Sequence, residues 1–270
     1  HTTDQEELCY VIACLNDKQK SRINALDLSG SNLYSINPLS NLDQLERINL
    51  SGCSGLKDVN GAFSTGKYKS INLKGCNNLI DLSCISNNKN LEILSLEGCS
   101  EIKNFNFLLE LTKLKNLNIK ACNISDIPGI SLSLKKLILS GVRISMDPSA
   151  YVLVGDQFDN DQDFINARKH YAIAAEQYDV TAHYKLGCLD IKEKKEAKDI
   201  FERFKIASDN GDLSATLEIN KSKYSSFLDA GSRKALQQKK EKYSLTDLRF
   251  SKILLNELIV NMVKDWSLPK

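Results

Sequence analysis

Short runs with apolar residues at alternate positions recur along the first half of the chain. They are Leu26-Asp27-Leu28, Ile48-Asn49-Leu50, Ile71-Asn72-Leu73, Leu94-Ser95-Leu96, Leu117-Asn118-Ile119 and Leu137-Ile138-Leu139. Their starts are 22, 23, 23, 23 and 20 residues apart. Three residues before each start stands another large apolar or aromatic residue: Ile23, Leu45, Tyr68, Leu91, Leu114 and Leu134. Further apolar anchors follow each run, such as Leu33 and Ile36, Leu56 and Val59, and Leu79 and Leu82. A short period held this regularly predicts a repeat architecture. Alternation predicts one short strand per repeat, with Leu26 and Leu28 and their equivalents turned inward. One such unit cannot bury its apolar face alone, so the core forms only when units stack.

Five residues after each start comes Ser31, Cys53, Cys76, Cys99, Cys122 or Val142, preceded in most units by glycine (Gly30, Gly52, Gly75, Gly98 and Gly141). Glycine suits a sharp turn off a strand. This pattern resembles the leucine-rich-repeat family, L-x-x-L-x-L-x-x-N/C, with six matches in register over 23–146. The Gly-Cys pair is similar to the cysteine-containing subclass. The segments from Leu33 to Leu45 and from Cys122 to Ile127 are similar to internalin-type repeats, so the subclass stays open. The resemblance implies an α/β solenoid of short parallel strands with a concave strand face. Ser31, Cys53, Cys76, Cys99 and Cys122 are expected to form a structural ladder, cysteine standing in for the usual asparagine as a small side chain with a weak S–H donor. Such thiols lie in a line and lack a histidine, which does not fit a tetrahedral metal site.

Side chains between the inward leucines are expected on the concave surface. The candidate partner-binding residues are Asp27, Arg47, Asn49, Asn72, Lys74, Ile93, Ser95, Glu97, Asn118, Lys120 and Ile138. The surface is polar and nearly neutral and has no aromatic anchor of the kind that dominates many interfaces. Ile93 and Ile138 are out of place on a solvated sheet; they mark either a contact point or ordinary scattered apolar surface.

Residues 1–22 carry Leu8, Val11, Ile12 and Leu15 at helical spacing, which predicts a helical cap over the open end of the core. After Met146-Asp147-Pro148-Ser149 the period becomes helical, with Asp147 or Ser149 available as N-cap. The stretch A-Y-V-L-V-G from Ala150 recurs as A-H-Y-K-L-G from Ala182, 32 residues on, and more weakly from Ala215. With the alanine-rich segments from Ala167 and Ala197, residues 149–222 resemble SEL-like repeats, relatives of tetratricopeptide repeats. That resemblance implies paired helices in an all-α domain. Residues 223–270 are expected to be helices capping this second array; their apolar positions cover more than one stripe. Ten basic against five acidic residues there read as a solvated face, with an acidic partner as the alternative.

Composition narrows the field. A 42% hydrophobic content over 270 residues is ample for a core, and too long a chain for one ordinary compact domain. The 36 basic and 34 acidic residues nearly cancel, which speaks against a chain built for nucleic acid or an anionic membrane. No apolar run reaches the length of a spanning helix. No charged-then-apolar leader opens the sequence, and a start at His1 reads as a trimmed chain. Four of the eight cysteines keep the repeat register, so reduced thiols and a cytosolic environment are expected.

The sequence carries no phosphate-loop or dinucleotide fingerprint and no nucleophile–histidine pairing with supporting spacing. Cys188-Leu189-Asp190 matches the Cys-x-Asp of the ubiquitin-ligase domains found in some bacterial leucine-rich-repeat effectors. A carboxylate beside a thiolate could orient a base or an amine. Nothing else in the region resembles that domain, and Cys188 follows the Leu-Gly of the helical repeat. The expectation is therefore a protein-interaction scaffold and not an enzyme. No cofactor, metal or small-molecule substrate is expected, and the partner is a protein. The joined repeat classes, with Asn/Lys/Ile-rich usage, are similar to effectors that intracellular bacteria deliver into host cells; a non-catalytic adaptor in a larger complex is the alternative.

Overall fold

The computed structural model describes residues 4–219, 221–228, 234 and 238. The chain divides into two compact units, His1–Asp179 and Val180–Lys270. The expected capping helices of 223–270 lie, from residue 229 on and apart from 234 and 238, outside the described residues.

The first unit is built on an open sheet of six parallel strands in sequence order: β1 (Ala25–Asp27), β2 (Arg47–Asn49), β3 (Ser70–Asn72), β4 (Ile93–Ser95), β5 (Asn116–Asn118) and β6 (Arg143–Ser145). The register is unshifted across it: Leu26, Ile48, Ile71, Leu94, Leu117 and Ile144 stand side by side. Ile48, Ile71, Leu94 and Leu117 are buried, as are Leu50, Leu73, Leu96 and Ile119. Period-two alternation thus places one leucine-rich row against the core, as the sequence predicts.

Each strand leaves through a turn at positive φ: Gly30 (+72°), Gly52 (+78°), Gly75 (+75°) and Gly98 (+78°). The glycines stack, and a Cβ at Gly75 would lie 3.7 Å from the Gly52 backbone. The fifth turn uses Ala121 at +55°, a conformation costly for an L side chain; its N–H donates to Asp147 Oδ2 at 2.8 Å.

Below these turns runs the thiol ladder. The Sγ atoms of Cys53, Cys76, Cys99 and Cys122 donate to the carbonyls of Leu28, Leu50, Leu73 and Leu96, at 3.1, 3.2, 3.1 and 2.9 Å. Each of those carbonyls also accepts the peptide N–H three residues on, from Ser31, Cys53, Cys76 and Cys99. Both lone pairs of a buried carbonyl are therefore used, one by its own turn and one by the next unit. Ser31 heads the column and is only partly buried.

The return path of each unit is pinned by a second repeated device. Ser35, Asp58, Asp81 and Asn104 accept the backbone N–H two residues on, from Asn37, Asn60, Ser83 and Asn106. These local side-chain acceptors start the short turns that cross the far side.

A helix caps the first repeat. α1 (Asp4–Cys14) buries Leu8 and Ile12, and α2 (Asp17–Lys20) begins on an Asn16 capping box. In the second unit of the array, the N–H groups of Lys57 and Asp58 donate to the carbonyl of Tyr34. The equivalent donors of the first unit, Tyr34 and Ser35, have no preceding repeat. They donate instead to Gln5 Oε1, at 3.1 and 3.0 Å, and Gln5 is 4% exposed. One buried amide thus replaces a missing backbone carbonyl.

The expected sixth repeat is corrected by the structure. Leu137-Ile138-Leu139 is not a strand: it ends α4 (Ile130–Leu139), which buries Ile130, Leu134 and Leu137. β6 begins 27 residues after β5, at Arg143, and not at the expected 20-residue spacing. The physical break is at Pro128-Gly129. In the preceding units the residue two after the Ser/Asp/Asn acceptor donates its N–H, but two after Asp126 stands Pro128, which has none. Gly129 at φ +73° then launches α4. Gly141, expected at the turn off a strand, instead ends α4 at φ +85°.

The boundary expected at 149 also moves, because the first unit takes in α5 (Pro148–Asn160) and α6 (Phe164–Glu176). Pro148 fills the first helical position after Asp147. Asp161, at the end of α5, pairs with the largely buried Lys135 of α4, whose ammonium lies 4.5 Å from the Phe158 ring centroid. In the second unit, α7 (Val180–Lys192), α8 (Ala197–Asp209) and α9 (Leu213–Ile219) enclose Ile200, Phe201, Phe204, Ala207, Ala215, Ile219 and Tyr224.

The two helical pairs share one packing device. A Cβ at Gly155 of α5 would fall 2.5 Å from Tyr171 Cε1 of α6, and one at Gly187 of α7 would fall 2.6 Å from Phe204 Cε1 of α8. An aromatic ring occupies the place of the absent side chain in both.

Candidate functional site, the outer face of the strands

The register brings ten of the eleven expected partner-binding residues onto one face of the sheet or its exit turns. Asp27, Asn49, Asn72, Ser95 and Asn118 form one column, with Lys74, Glu97 and Lys120 just beyond them, and Arg47 and Ile93 in the column before. Ile138 is the exception: it lies on α4 and is half-buried. The place expected for its unit belongs to Arg143-Ile144-Ser145, whose outward residues are Arg143 and Ser145. A signal for this existed in the sequence, since Arg143-Ile144-Ser145 echoes Arg47-Ile48-Asn49.

The middle column is largely self-satisfied. Asn49 Nδ2 donates to Asp27 Oδ2 at 3.1 Å, and Asn72 Nδ2 donates to Asn49 Oδ1 at 3.0 Å. Asp27, Asn49, Asn72 and Asn118 each also accept the N–H two residues on, from Ser29, Ser51, Lys74 and Lys120. These bonds, led by the backbone N–H of Ser29, hold the Asp27 carboxyl below its ordinary range. Ser95 interrupts the ladder, and there Asn118 Nδ2 turns to Glu97 Oε2 at 3.0 Å. These asparagines therefore brace the strand exits first.

Most charges around the face are paired too. Lys74 meets Glu97 at 3.0 Å, Lys69 meets Glu46 at 2.8 Å, and Lys115 meets Glu92 at 2.7 Å. The lysine hydrogen bonds lower the carboxyls of Glu92 and Glu97. All are solvent-exposed, so each pair contributes little to stability. Arg47 and Arg143 differ: among the described residues neither has a carboxylate partner.

The other candidate chemistry resolves into packing. Burial pushes the ladder thiols up, Cys76 and Cys122 to about 12 and Cys99 to about 11. Among the described residues no group of three or more His, Cys, Asp or Glu side chains is placed to hold a metal ion. Cys188 of α7 packs against the Phe201–Phe204 core, and burial raises its thiol also, the opposite of what an activated nucleophile needs. Asp190 is 4% exposed and lies 3.5 Å from Arg203 Nε. His170 is 5% exposed, stacks on Phe158, and its Nδ1 faces the carbonyl of Asn166 at 2.8 Å; burial lowers its pKa. No described helix is long and apolar enough to cross a membrane.

Two residues that sequence reasoning did not single out hold the site in place. Gln5 is one. The other is Asn88, which is 0% exposed: its Oδ1 accepts from Tyr68 N at 3.1 Å, and its Nδ2 donates to Phe63 O at 2.8 Å and Ile85 O at 3.1 Å.

No protein-family model matches the chain, and no curated protein matches it. Among solved structures, an internalin from Listeria monocytogenes is similar at 20% sequence identity and a TM-score of 0.29. The alignment covers 53% of this chain and 55% of that one. So slight a likeness does not identify the chain. What is established is an open six-stranded parallel sheet on a 22- to 23-residue beat, followed by helices.

Proposed function

We propose that the protein is a leucine-rich-repeat binding module that recognises another protein through the outer face of its strands. The observation that carries this reading is the unshifted register of β1 to β6. It seals one face on leucine and isoleucine and lines up side chains in straight columns on the other. Such a surface is rigid before binding, so little ordering entropy is lost on contact. The finer reading is a bacterial effector acting on a host protein, with a SEL-like second array. Support for it comes from the repeat likenesses of the sequence, the glycine-on-ring packing in both helical pairs, and thiols that serve as hydrogen-bond donors.

Affinity capture from host-cell lysate tests the reading. Wild type and the Arg47→Glu/Lys74→Glu/Lys120→Glu variant are compared, with circular dichroism as the check on folding. Loss of a captured protein from the folded variant is the expected result; equal recovery of every captured protein places binding elsewhere. A non-catalytic role is part of the same proposal. Ubiquitin charged on a conjugating enzyme should be discharged no faster by wild type than by Cys188→Ala.

A further inference from the structure

We propose that the strand face takes an acidic peptide segment in which an apolar side chain lies between two carboxylates. This rests on the reading of that face as a binding surface and specifies what it binds.

The column before the asparagine ladder runs Arg47, Ser70, Ile93, Asn116, Arg143, each the direct register neighbour of the next. Neighbouring strands lie about 4.8 Å apart, so each arginine stands roughly 10 Å from Ile93. Ile93 is 46% exposed at the centre of a sheet face, and both arginines are exposed. Ser70 and Asn116 between them are small and polar, and leave the isoleucine accessible from either side.

Charge decides the class of partner. The acidic groups nearby are committed: Glu46 to Lys69, Glu92 to Lys115, Glu97 to Lys74 and Asn118, and Asp27 to Ser29 N–H and Asn49. Arg47 and Arg143 have no such commitment among the described residues. An unpaired guanidinium offers a planar fork of donors that matches a carboxylate with two parallel bonds. Two of them flanking an exposed apolar side chain form a pattern that is positive, apolar, positive. Its complement is negative, apolar, negative, on the same spacing. A polyproline-II segment meets that spacing, because its side chains return to one face every three residues, about 9.3 Å apart. Acidic-x-x-apolar-x-x-acidic is therefore the simplest matching ligand.

Selection of a random dodecapeptide library on the whole protein tests this. The expected result is enrichment of peptides carrying an apolar residue between two acidic ones, with binding weakened by added salt. A labelled Glu-Pro-Pro-Leu-Pro-Pro-Glu peptide should then bind saturably by fluorescence anisotropy. Its affinity should fall about tenfold or more with Arg47→Gln/Arg143→Gln, with Ile93→Asp, and with the peptide in which both glutamates become glutamine. Circular dichroism confirms that each variant is folded. Enriched peptides without the acidic pattern that are lost from an Asn72→Trp variant but not from the arginine variants would overturn the inference and leave the strand face as a binding surface. Binding indifferent to every strand-face substitution, or no enrichment at all, would overturn both.

Discussion

Cys122 donates its thiol to the carbonyl of Leu96 over 2.9 Å, and that same carbonyl accepts the N–H of Cys99 at 2.9 Å. The thiol is a structural donor sealed from water, and its chemistry should show it. Alkylation by iodoacetamide at pH 8 should be rapid at Cys9 and Cys14, which are exposed, and very slow at Cys53, Cys76, Cys99 and Cys122. Mass mapping of the labelled sites reads the result; ladder thiols labelled as fast as Cys9 would contradict the structure.

The same burial sets a pH dependence. Cys76 and Cys122 are raised to about 12, against about 9 in an open chain. Between those values the folded thiols keep their protons while the unfolded ones lose them, so the unfolded state is favoured as pH rises. Stability contributed by the ladder is complete below about pH 9 and is lost as pH climbs toward 12. Urea midpoints measured from pH 8 to 10.5 should fall, and the slope should be shallower in Cys76→Ala/Cys122→Ala.

Gly155 and Gly187 are occupied by their neighbours' rings. Alanine normally favours a helix interior over glycine by about 1 kcal/mol. Here the added carbon would meet Tyr171 or Phe204 at 2.5 to 2.6 Å. Overpacking should win, and Gly187→Ala should destabilise its helical pair by about 1 to 3 kcal/mol. Gly187→Ala/Phe204→Leu should recover part of that loss relative to the sum of the single variants, as read by thermal melts in a double-mutant cycle.

Asn88 satisfies one buried donor and two buried carbonyls across neighbouring repeats. Asn88→Leu keeps the size but leaves Tyr68 N and Phe63 O unpaired. A loss of about 3 kcal/mol is expected from chemical denaturation, the sum of roughly 1 to 3 kcal/mol for each buried group left unmade. A neutral result would mean that water replaces the amide.

Gln5→Leu should act locally. It removes the acceptor used by Tyr34 N and Ser35 N at the start of the array. Amide exchange at those two positions should accelerate by at least about tenfold, and global stability should fall by about 1 to 3 kcal/mol. Exchange at Asp58, whose carbonyl acceptor is intact, should change far less.

Five of the six strands were legible because one physical rule, alternation sealed by stacking, repeats with its spacing intact from Leu26 to Ile119. The thiol column was legible for the same reason. The sixth strand was not, because Leu137-Ile138-Leu139 satisfies the alternating pattern as well as the helical one, and a short apolar run cannot separate the two. The Pro128-Gly129 pair was the missed breaker. Its position put Ile138 on the wrong element and hid Arg143. Gln5 and Asn88 escaped for another reason: each is an ordinary polar residue in the sequence, and its value lies in donors and acceptors tens of residues away. The asparagine column was located correctly, but only its hydrogen bonds reveal that it braces the turns.

Each leucine carbonyl beneath the exit turns is completed by a sulfur from the following unit, so no repeat is chemically closed by itself. Whole 23-residue blocks from the middle of the array could be duplicated or excised with every joint re-formed in kind. A cut inside a block would strand an acceptor on one side and a donor on the other. Length is thus a free variable for this molecule while phase is not, and new reach can be gained by copying without any fresh invention at the seams.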